Sequence, residues 1–294
     1  MYSPGLKEWV GALLCRSLLF SLFPAMIRAA MTSILDKIVT AKRAEIAAAR
    51  QQRPIEQLRA ALADAPPVRD FYGALASGGP IKLIAEVKKA SPSKGVIRAD
   101  FDPIRIARIY QQHGATCISV LTDQPFFQGR LEYLSQIRQQ VDLPLLRKDF
   151  LVDEYQLVQA RVAGADAVLL IAECLTDQQL KELHDQTVQL GMTPLVEFYE
   201  PENLVRVLDC GARLIGVNNR DLKSFHVDLQ HTIRMRQQIP DDRLLVGESG
   251  IHHRSDALLL QSAGVRAMLV GEHLMASQDI GIAVDRLLGR VTAR

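Results

Sequence analysis

Charged and amide side chains stand at the ends of five short apolar runs in this chain. They are Glu86 and Lys88, then Lys148, then Glu197, then Asn218, Asn219 and Arg220, and finally Glu248 and Ser249. A lysine ammonium can donate a proton to a substrate oxygen, and nearby carboxylates can hold that ammonium and accept protons. A single lysine after a strand is usually only solvated. Five runs that end in the same way instead favour one shared site for acid and base catalysis.

Eight apolar runs of strand length divide the chain from residue 82 onward. They span residues 82–88, 116–123, 143–150, 166–172, 193–198, 213–219, 243–249 and 267–272. Amphipathic stretches of helical length separate them, and most of these stretches end at a glycine suited to a helix C-terminus, such as Gly114 or Gly164. Eight strand-then-helix units predict an α/β fold, a closed (β/α)8 TIM barrel rather than an open sheet. Because the carboxyl ends of barrel strands build the active site, the charged strand ends are expected to meet.

The segment of residues 31–80 precedes the first strand and is predicted to be helical. Thr32 or Ser33 can cap a helix whose apolar side follows at once. That side consists of Ile34, Leu35, Ile38 and Ala41. We expect these N-terminal helices to cover the barrel or flank its mouth, as part of one domain that spans residues 31–294.

Residues 1–30 contain an apolar stretch, Val10–Ile27, that is typical of a signal peptide or a short membrane anchor. Arg16 interrupts this stretch, and a helix-start pattern begins directly after Met31. We favour a start codon placed too early, so that residues 1–30 are spurious or disordered. A membrane or export segment and a genuine structural addition stay open as alternatives.

The composition favours a globular protein that binds a small molecule. With 294 residues, 48% of them hydrophobic, the chain can fill a sizeable core. Its formal net charge is only +2, so no broad basic field for nucleic acid is expected, and no membrane partner is expected for the barrel. Four cysteines without CxxC spacing predict neither disulfides nor a zinc site, which is typical of a reducing cytoplasm.

Motifs for metals and nucleotides are missing from the sequence. The seven histidines form neither an HxH nor an HExxH pattern, so no catalytic metal is expected. The sequence has no GxGxxG motif and no Walker motif, which argues against a dinucleotide or a nucleoside triphosphate as ligand.

Small residues after the seventh and eighth predicted strands indicate a phosphate site. Ser249, Gly250 and Gly271 leave backbone N–H groups accessible, and a helix that begins there would add its positive N-terminal end. Barrels of this class commonly bind phosphate at this place. Ser91 and Lys88, after the first strand, can close over the same phosphate. The alternative is that the two glycines only form tight turns.

Eight motifs follow one another in a specific order and spacing. They are IAEVKKASPSKG (84–95), SVLTDQPFFQG (119–129), LPLLRKDF (143–150), GADAVLLI (164–171), PLVEF (194–198), IGVNNRDL (215–222), VGESGI (246–251) and LVGEHLM (269–275). This series, which covers about residues 31–290, resembles the indole-3-glycerol-phosphate synthase family of tryptophan biosynthesis. The resemblance implies a (β/α)8 barrel with an N-terminal helical extension over its mouth. It also implies conversion of 1-(2-carboxyphenylamino)-1-deoxyribulose 5-phosphate to indole-3-glycerol phosphate, carbon dioxide and water, without cofactor or metal.

The resemblance further implies a role for individual residues. It makes Lys148 the general acid and Glu197 its acid/base counterpart, with Glu86 as a third catalytic group. It assigns substrate binding to Lys88, Ser91, Phe127, Phe150, Asn218, Arg220, Glu248, Ser249, Gly250 and Gly271. The chain departs from the family at Lys89–Ala90, often Arg-Lys there, and at Glu272–His273, often Ser-Ser or Glu-Ser. We expect a cytoplasmic carboxy-lyase with a small phosphorylated substrate, which is a monomer or a weak homo-oligomer.

Two other interpretations stay open at the level of sequence. In another lyase or isomerase on a phosphate-binding barrel, Lys148 would form a Schiff base with a sugar ketone, which borohydride would trap. Alternatively, a barrel that has lost catalysis acts by interaction. The presence of Lys148, Glu197 and Glu86 together speaks against this second alternative.

We expect a shortened chain that begins at Met31 to fold and to keep its turnover. The reason is that the helix-start pattern and all the motifs lie after that residue. Soluble yield, circular dichroism and specific activity of the shortened and full-length proteins measure this. Loss of solubility or of turnover on truncation would contradict it.

Overall fold

Eight parallel strands close into one barrel in a computed structural model, which describes residue 1 and residues 33–291. The strands are β1 (Lys82–Val87), β2 (Cys117–Leu121), β3 (Leu145–Lys148), β4 (Ala167–Ile171), β5 (Thr193–Phe198), β6 (Leu214–Asn218), β7 (Leu244–Glu248) and β8 (Ala267–Val270). Each strand pairs with the next one in the chain, and β8 pairs with β1. The (β/α)8 TIM barrel predicted from the sequence is therefore confirmed.

Helices surround this barrel and precede its first strand. They are α1 (Ile34–Gln52), α2 (Ile55–Ala60), α3 (Phe71–Ala76), α4 (Pro103–Gln112), α5 (Gln124–Phe127), α6 (Leu131–Arg138), α7 (Glu154–Val162), α8 (Asp177–Gln189), α9 (Leu204–Asp209), α10 (Gln230–Arg236), α11 (Arg254–Ser262), α12 (Glu272–Ala276) and α13 (Ile280–Leu288). Short 3-10 turns lie at Ala61–Asp64, Ala172–Cys174 and Pro201–Asn203, and a hairpin after β1 pairs Ala90–Ser91 with Gly95–Val96.

Local signals in the sequence set the ends of these helices. Ser33 caps α1 because its hydroxyl accepts the N–H of Asp36 at 3.1 Å, while the Asp36 carboxylate accepts the N–H of Ser33 at 3.0 Å. After the C-terminal ends of α4 and α7, Gly114 and Gly164 have φ angles of +80° and +90°. Side chains other than glycine rarely adopt this conformation, so the glycines return the chain from helix to strand.

Alternate residues of each strand face the barrel interior, as the period of two in a β-strand requires. The interior carries an apolar cluster that includes Leu146, Leu195 and Leu214, and the outward side chains form a second cluster under the helices. Lys148 and Glu197 follow Leu146 and Leu195 by two residues on the same strands, so their side chains also face the interior. The strand order and the alternation therefore place charged side chains at one level, near the carboxyl end of the barrel.

The N-terminal helices hold opposite ends of the barrel. Phe71 and Leu75 of α3 are fully buried and join the interior apolar cluster. The segment before α3 is held at the start of β4 by Asp166, which accepts the N–H of Arg69 at 2.6 Å. Helix α3 thus closes the N-terminal end of the barrel, while α1 lies at the mouth described below.

Some predictions fall outside this description. Residues 2–32 and 292–294 lie beyond the described part of the chain, so the interpretation of residues 1–30 and the domain boundaries stay predictions. Within residues 33–291, no helix combines the length and the apolar character that crossing a membrane requires.

Asp166 is a buried carboxylate that connects several elements at the base of the barrel. It accepts two hydrogen bonds from Arg138 Nη1, at 2.9 and 2.7 Å, and one from the N–H of Leu145 at 2.8 Å. Its side chain is fully buried, and that of Arg138 nearly so. Asp166 therefore connects the segment before α3, the end of α6 and the start of β3.

We expect Asp166→Ala to lower the free energy of unfolding by about 3 to 5 kcal/mol, because it leaves the buried Arg138 guanidinium without its partner. The matched control is Asp209→Ala at an exposed position, with an expected change within about 0.5 kcal/mol. Urea denaturation monitored by circular dichroism measures both changes. Equal urea midpoints for the two variants would contradict this expectation.

Candidate active site

One cavity opens at the carboxyl ends of the strands, and all the site residues expected from the sequence line it. They are Glu86, Lys88, Ser91, Phe127, Lys148, Phe150, Glu197, Asn218, Arg220, Glu248, Ser249, Gly250 and Gly271. The cavity contains about 1170 Å³ of empty space, counting the solvent at its mouth. The structure thus brings these residues together, in a space large enough for a small-molecule ligand. Their individual roles stay predictions.

A mostly buried lysine, 17% exposed, lies among acidic side chains at the centre of the cavity. Lys148 Nζ lies 3.0 Å from Glu197 Oε2 and 3.5 Å from Glu248 Oε2. Glu86, also buried, is a third acidic side chain of this cavity, and its Oε2 accepts a hydrogen bond from Ser119 Oγ at 3.2 Å. The strand ends place one ammonium among several carboxylates, which is the arrangement that proton transfer needs.

The surroundings separate the protonation of these groups. Burial disfavours the charge of Lys148, but Glu197, Glu248 and Glu86 outweigh it and hold the pKa of the lysine above its ordinary value. Burial also opposes charge on Glu197, yet Lys148 and hydrogen-bonding neighbours lower the pKa of this carboxyl. For Glu248, burial and then the charge of Glu197 raise the pKa well above its ordinary value. The surroundings therefore favour the charged forms of Lys148 and Glu197 and the neutral form of Glu248.

Two residues of β6 shape the pocket of these carboxylates. Asn218 Nδ2 donates a hydrogen bond to Glu197 Oε1 at 3.2 Å. A Cβ atom at Gly216 would lie 2.3 Å from Glu248 Oε1, so this position has no room for a side chain. Sequence reasoning found Asn218 but missed Gly216. The signal for it was a glycine inside an apolar strand, which often marks a close approach of another group.

An apolar wall lies beside the charged centre. The ring of Phe127 lies 6.1 Å from that of Phe150 and 5.5 Å from Lys88 Nζ, which in turn is 3.7 Å from Glu86 Oε1. Ile34, Leu35 and Ile38 of α1 also line the cavity, so this helix flanks the mouth as expected. The wall can contact the flat face of an aromatic ligand.

The loops after β7 and β8 also line the cavity. Ser249 and Gly250 both have positive φ angles, +65° and +74°, in the turn that follows β7. A Cβ atom at Gly250 would lie 2.5 Å from Val227 Cγ1, and one at Gly271 would lie 2.6 Å from Glu86 Oε1. Both glycines therefore have a packing requirement in addition to the predicted phosphate role.

Arg220 makes contacts that sequence reasoning did not foresee. Its Nη2 lies 3.2 Å from Glu272 Oε2, and its backbone N–H donates to Asn218 Oδ1 at 3.0 Å. Glu272 also lies 3.9 Å from Lys94 Nζ in the hairpin after β1. Glu272, one of the positions that depart from the family pattern, thus orients the guanidinium at the rim of the cavity.

A second set of charges lies just outside the barrel, and sequence reasoning missed it. Arg147 and Asp149 flank Lys148 on β3, are buried, and lie 3.1 Å apart between Nη2 and Oδ2. Because side chains alternate along a strand, both face away from Lys148. The signal in the sequence was the run of three charges, RKD, because charges on both faces of a buried strand end require partners.

Within residues 33–291, no group of three or more His, Cys, Asp or Glu residues is arranged to bind a metal ion.

Comparison with known proteins gives a consistent result. A family model described as indole-3-glycerol phosphate synthase matches residues 35–287. A protein of that name from Rhodopirellula baltica is 57% identical over 256 residues, covering 87% of this chain and 99% of that protein. Another, from Polaromonas sp., is 50% identical over 262 residues, covering 88% and 99%.

Solved structures share the barrel at low sequence identity. The crystal structure of a 3-hexulose-6-phosphate synthase aligns with a TM-score of 0.58 and 14% identity, over 72% of this chain and all of that chain, 100%. KGPDC from Streptococcus mutans aligns with a TM-score of 0.57 and 14% identity, over 72% and 97%. At this level of identity the likeness shows the fold alone.

We expect wild-type stability to fall relative to that of Glu248→Gln as pH rises. The pKa of Glu248 in the folded state is raised above its ordinary 4.5, so the folded protein holds a proton that the unfolded chain releases between these two values. The stability due to this proton is complete below the unfolded pKa and is lost as pH rises through the folded pKa. Urea denaturation at about pH 5, 6 and 7 should show a difference that grows by up to about 1.4 kcal/mol per pH unit.

The control for this experiment is Glu182→Gln on the exposed face of α8. Its stability should stay parallel to that of the wild type over the same pH range. If the Glu248→Gln curve also stays parallel to the wild-type curve, Glu248 does not hold the extra proton.

Proposed function

Because the chain belongs to the indole-3-glycerol phosphate synthase family, we propose that the cavity performs the family's reaction with Lys148 as general acid. The protein is a carboxy-lyase of tryptophan biosynthesis, with 1-(2-carboxyphenylamino)-1-deoxyribulose 5-phosphate as its substrate and indole-3-glycerol phosphate as its product. The observation that carries the assignment of Lys148 is its 3.0 Å ion pair with Glu197 inside the barrel mouth.

Ring closure is the first task of this site. An aromatic carbon of the substrate attacks the ketone carbon, and the ketone oxygen takes a proton from the Lys148 ammonium to become a hydroxyl. The raised pKa of Lys148 keeps it charged before this step. A developing alkoxide is far more basic than a carboxylate, so it can draw the proton that Glu197 leaves on the lysine.

Decarboxylation and dehydration complete the reaction. The carboxylate carbon leaves as carbon dioxide, and the hydroxyl leaves as water once it receives a second proton from the reprotonated Lys148. Glu197 and Glu86 can accept the proton that is released as the new ring becomes aromatic. Both carboxylates are buried next to the lysine, so protons can move among them without passing through bulk solvent.

Substrate binding divides between the two sides of the cavity. The phosphate is assigned to Ser249, Gly250 and Gly271, with Ser91 and Lys88 closing from the first strand. The aromatic ring of the substrate is assigned to the wall of Phe127 and Phe150, 6.1 Å apart.

Other polar groups of the cavity complete the binding site. Arg220, Asn218 and Glu248 also line the cavity and are assigned to the remaining oxygens of the substrate. A cytoplasmic location, the absence of a cofactor, and a monomeric or weakly associated state also belong to this proposal.

A fluorescence assay for indole-3-glycerol phosphate tests the function directly. Full-length protein, dialysed against a chelator, is mixed with 1-(2-carboxyphenylamino)-1-deoxyribulose 5-phosphate, and the rise of indole fluorescence is followed. Turnover supports the proposal. A catalytically inactive chain with intact structure would support the interaction-only alternative.

We expect Lys148→Ala to lower kcat by at least about a hundredfold, the usual size of a general-acid contribution, with a much smaller change in KM. Lys148→Arg should not restore turnover, because guanidinium holds its proton too tightly. The control Lys181→Ala removes an exposed lysine of α8 and should leave kcat unchanged. An alanine variant within tenfold of wild type would show that Lys148 is not the acid.

The pH profile and chemical trapping test the role of Lys148 in a second way. Because the pKa of Lys148 is raised, kcat should fall only at a pH above the ordinary lysine value of 10.5. Activity should be complete below the pKa of Lys148 in the folded protein and lost above it. Borohydride added during turnover should trap nothing on Lys148. A trapped adduct would favour the Schiff-base mechanism instead.

A further inference from the structure

Lys42 of α1 is a fully buried ammonium that contacts carboxylates from three parts of the chain. Its Nζ lies 2.9 Å from Glu45 Oε2, 3.0 Å from Asp123 Oδ2 and 2.9 Å from Asp149 Oδ1. The side chain of Lys42 is only 1% exposed, and those of Asp123 and Asp149 are 0% and 1% exposed, whereas Glu45 is 47% exposed. The two aspartates are therefore the partners that need this lysine.

Asp123 belongs to the loop that carries part of the aromatic wall. Its Oδ1 accepts the N–H of Phe126 at 2.9 Å, which caps the short helix α5. Phe127, the last residue of α5, lines the cavity and lies 5.5 Å from Lys88 Nζ. The position of this ring thus depends on a short helix whose N-cap residue, Asp123, contacts Lys42.

Asp149 belongs to the end of β3, directly after the proposed acid. Its Oδ1 accepts the N–H of Phe150 at 2.9 Å, and its Oδ2 accepts the hydroxyl of Thr122 at 2.6 Å. Burial disfavours its charge, but Arg147 and Lys42 lower the pKa of Asp149 to about 2. The carboxylate therefore stays ionised and holds the backbone on which the proposed acid and Phe150 stand.

We propose that Lys42 is a positioning residue for the reaction: it fastens α1 to the loops after β2 and β3, so that Lys148 and the aromatic wall keep their places. This inference rests on the proposed function. Without the ammonium, the two buried carboxylates would lose the cation that contacts both of them, and Arg147 would remain beside Asp149. Such a pair must take up a proton or move apart to admit water, and either change shifts the backbone beside the reacting groups.

The full-length Lys42→Met variant tests this inference. A displacement of about 1 Å at the reacting groups costs up to about a hundredfold in rate, so kcat should fall by about 10- to 100-fold. Inorganic phosphate, used as a competitive inhibitor, should keep its inhibition constant within about twofold, because the loops after β7 and β8 do not touch Lys42. The control Glu45→Gln removes the exposed partner and should change kcat by less than about twofold.

A second variant separates positioning from a purely structural role. Lys42→Met combined with Asp123→Asn removes one of the two unpaired carboxylates, while asparagine can still cap α5. We expect this double variant to recover at least about threefold in kcat over Lys42→Met, because the repulsion between buried carboxylates is gone. A mere loss of folded protein would instead lower the circular-dichroism signal in proportion to the turnover.

The outcomes are distinguishable. Lys42→Met with kcat within about twofold of wild type overturns the inference. So does a loss of turnover that equals the loss of folded protein measured by circular dichroism, since Lys42 would then serve folding alone. If the wild type itself forms no indole-3-glycerol phosphate, the proposed function fails first and this inference fails with it.

Discussion

The ion pair between Lys148 and Glu197 is the interaction on which the rest of the site depends. Three buried acidic side chains, Glu86, Glu197 and Glu248, face one small space, and a cation among them offsets the loss of hydration of those that are ionised. The lysine, in turn, keeps its charge in a mostly buried place because these acidic side chains surround it. Closure of the barrel makes the arrangement possible, because β1, β3, β5 and β7 each contribute one of the four groups to the same level of the interior. The residues proposed for catalysis therefore also balance one another's charges.

The end of strand β3 carries charges on both of its faces, and the charges of the two faces have different partners. Lys148 points into the barrel, while Arg147 and Asp149 point outward to the helix layer and to Lys42 of α1. This explains why the apolar run LPLLRKDF ends in three consecutive charges. The inner charge is the proposed general acid, and the two outer charges lie at the junction of the strand end with the helix that flanks the mouth. The first helix is thus connected to the catalytic centre through ion pairs, in addition to the apolar contacts of its side chains along the cavity.

Space for these charged groups comes from the smallest residues of the barrel. Gly216 leaves room for the Glu248 carboxylate and Gly271 for that of Glu86, at positions where a Cβ atom would lie 2.3 Å and 2.6 Å from the carboxylate oxygens. In an ordinary barrel interior these inward positions would carry branched apolar side chains that fill the core. Here the apolar layer of the interior ends before the carboxyl ends of the strands, and glycines occupy the positions next to the acidic side chains. Packing density in the lower barrel and an accessible, charged cavity above it therefore coexist in one set of strands.

The sequence by itself determined the eight strands, their helices and the identities of the inward-facing residues at the strand ends. These features follow from local rules: the period of two in a strand, caps such as Ser33, and glycines at helix ends. It also predicted which residues would line one cavity, because parallel strands in a closed barrel all end on the same side. Only the tertiary structure decided which charges pair. Glu197 is 49 residues from Lys148, and neither that pair nor the contact of Lys42 with Asp149 has a local signature. The opposite protonation of Glu197 and Glu248 was likewise decided in space, because a pKa depends on burial and on distances to other charges, and the order of residues along the chain contains neither.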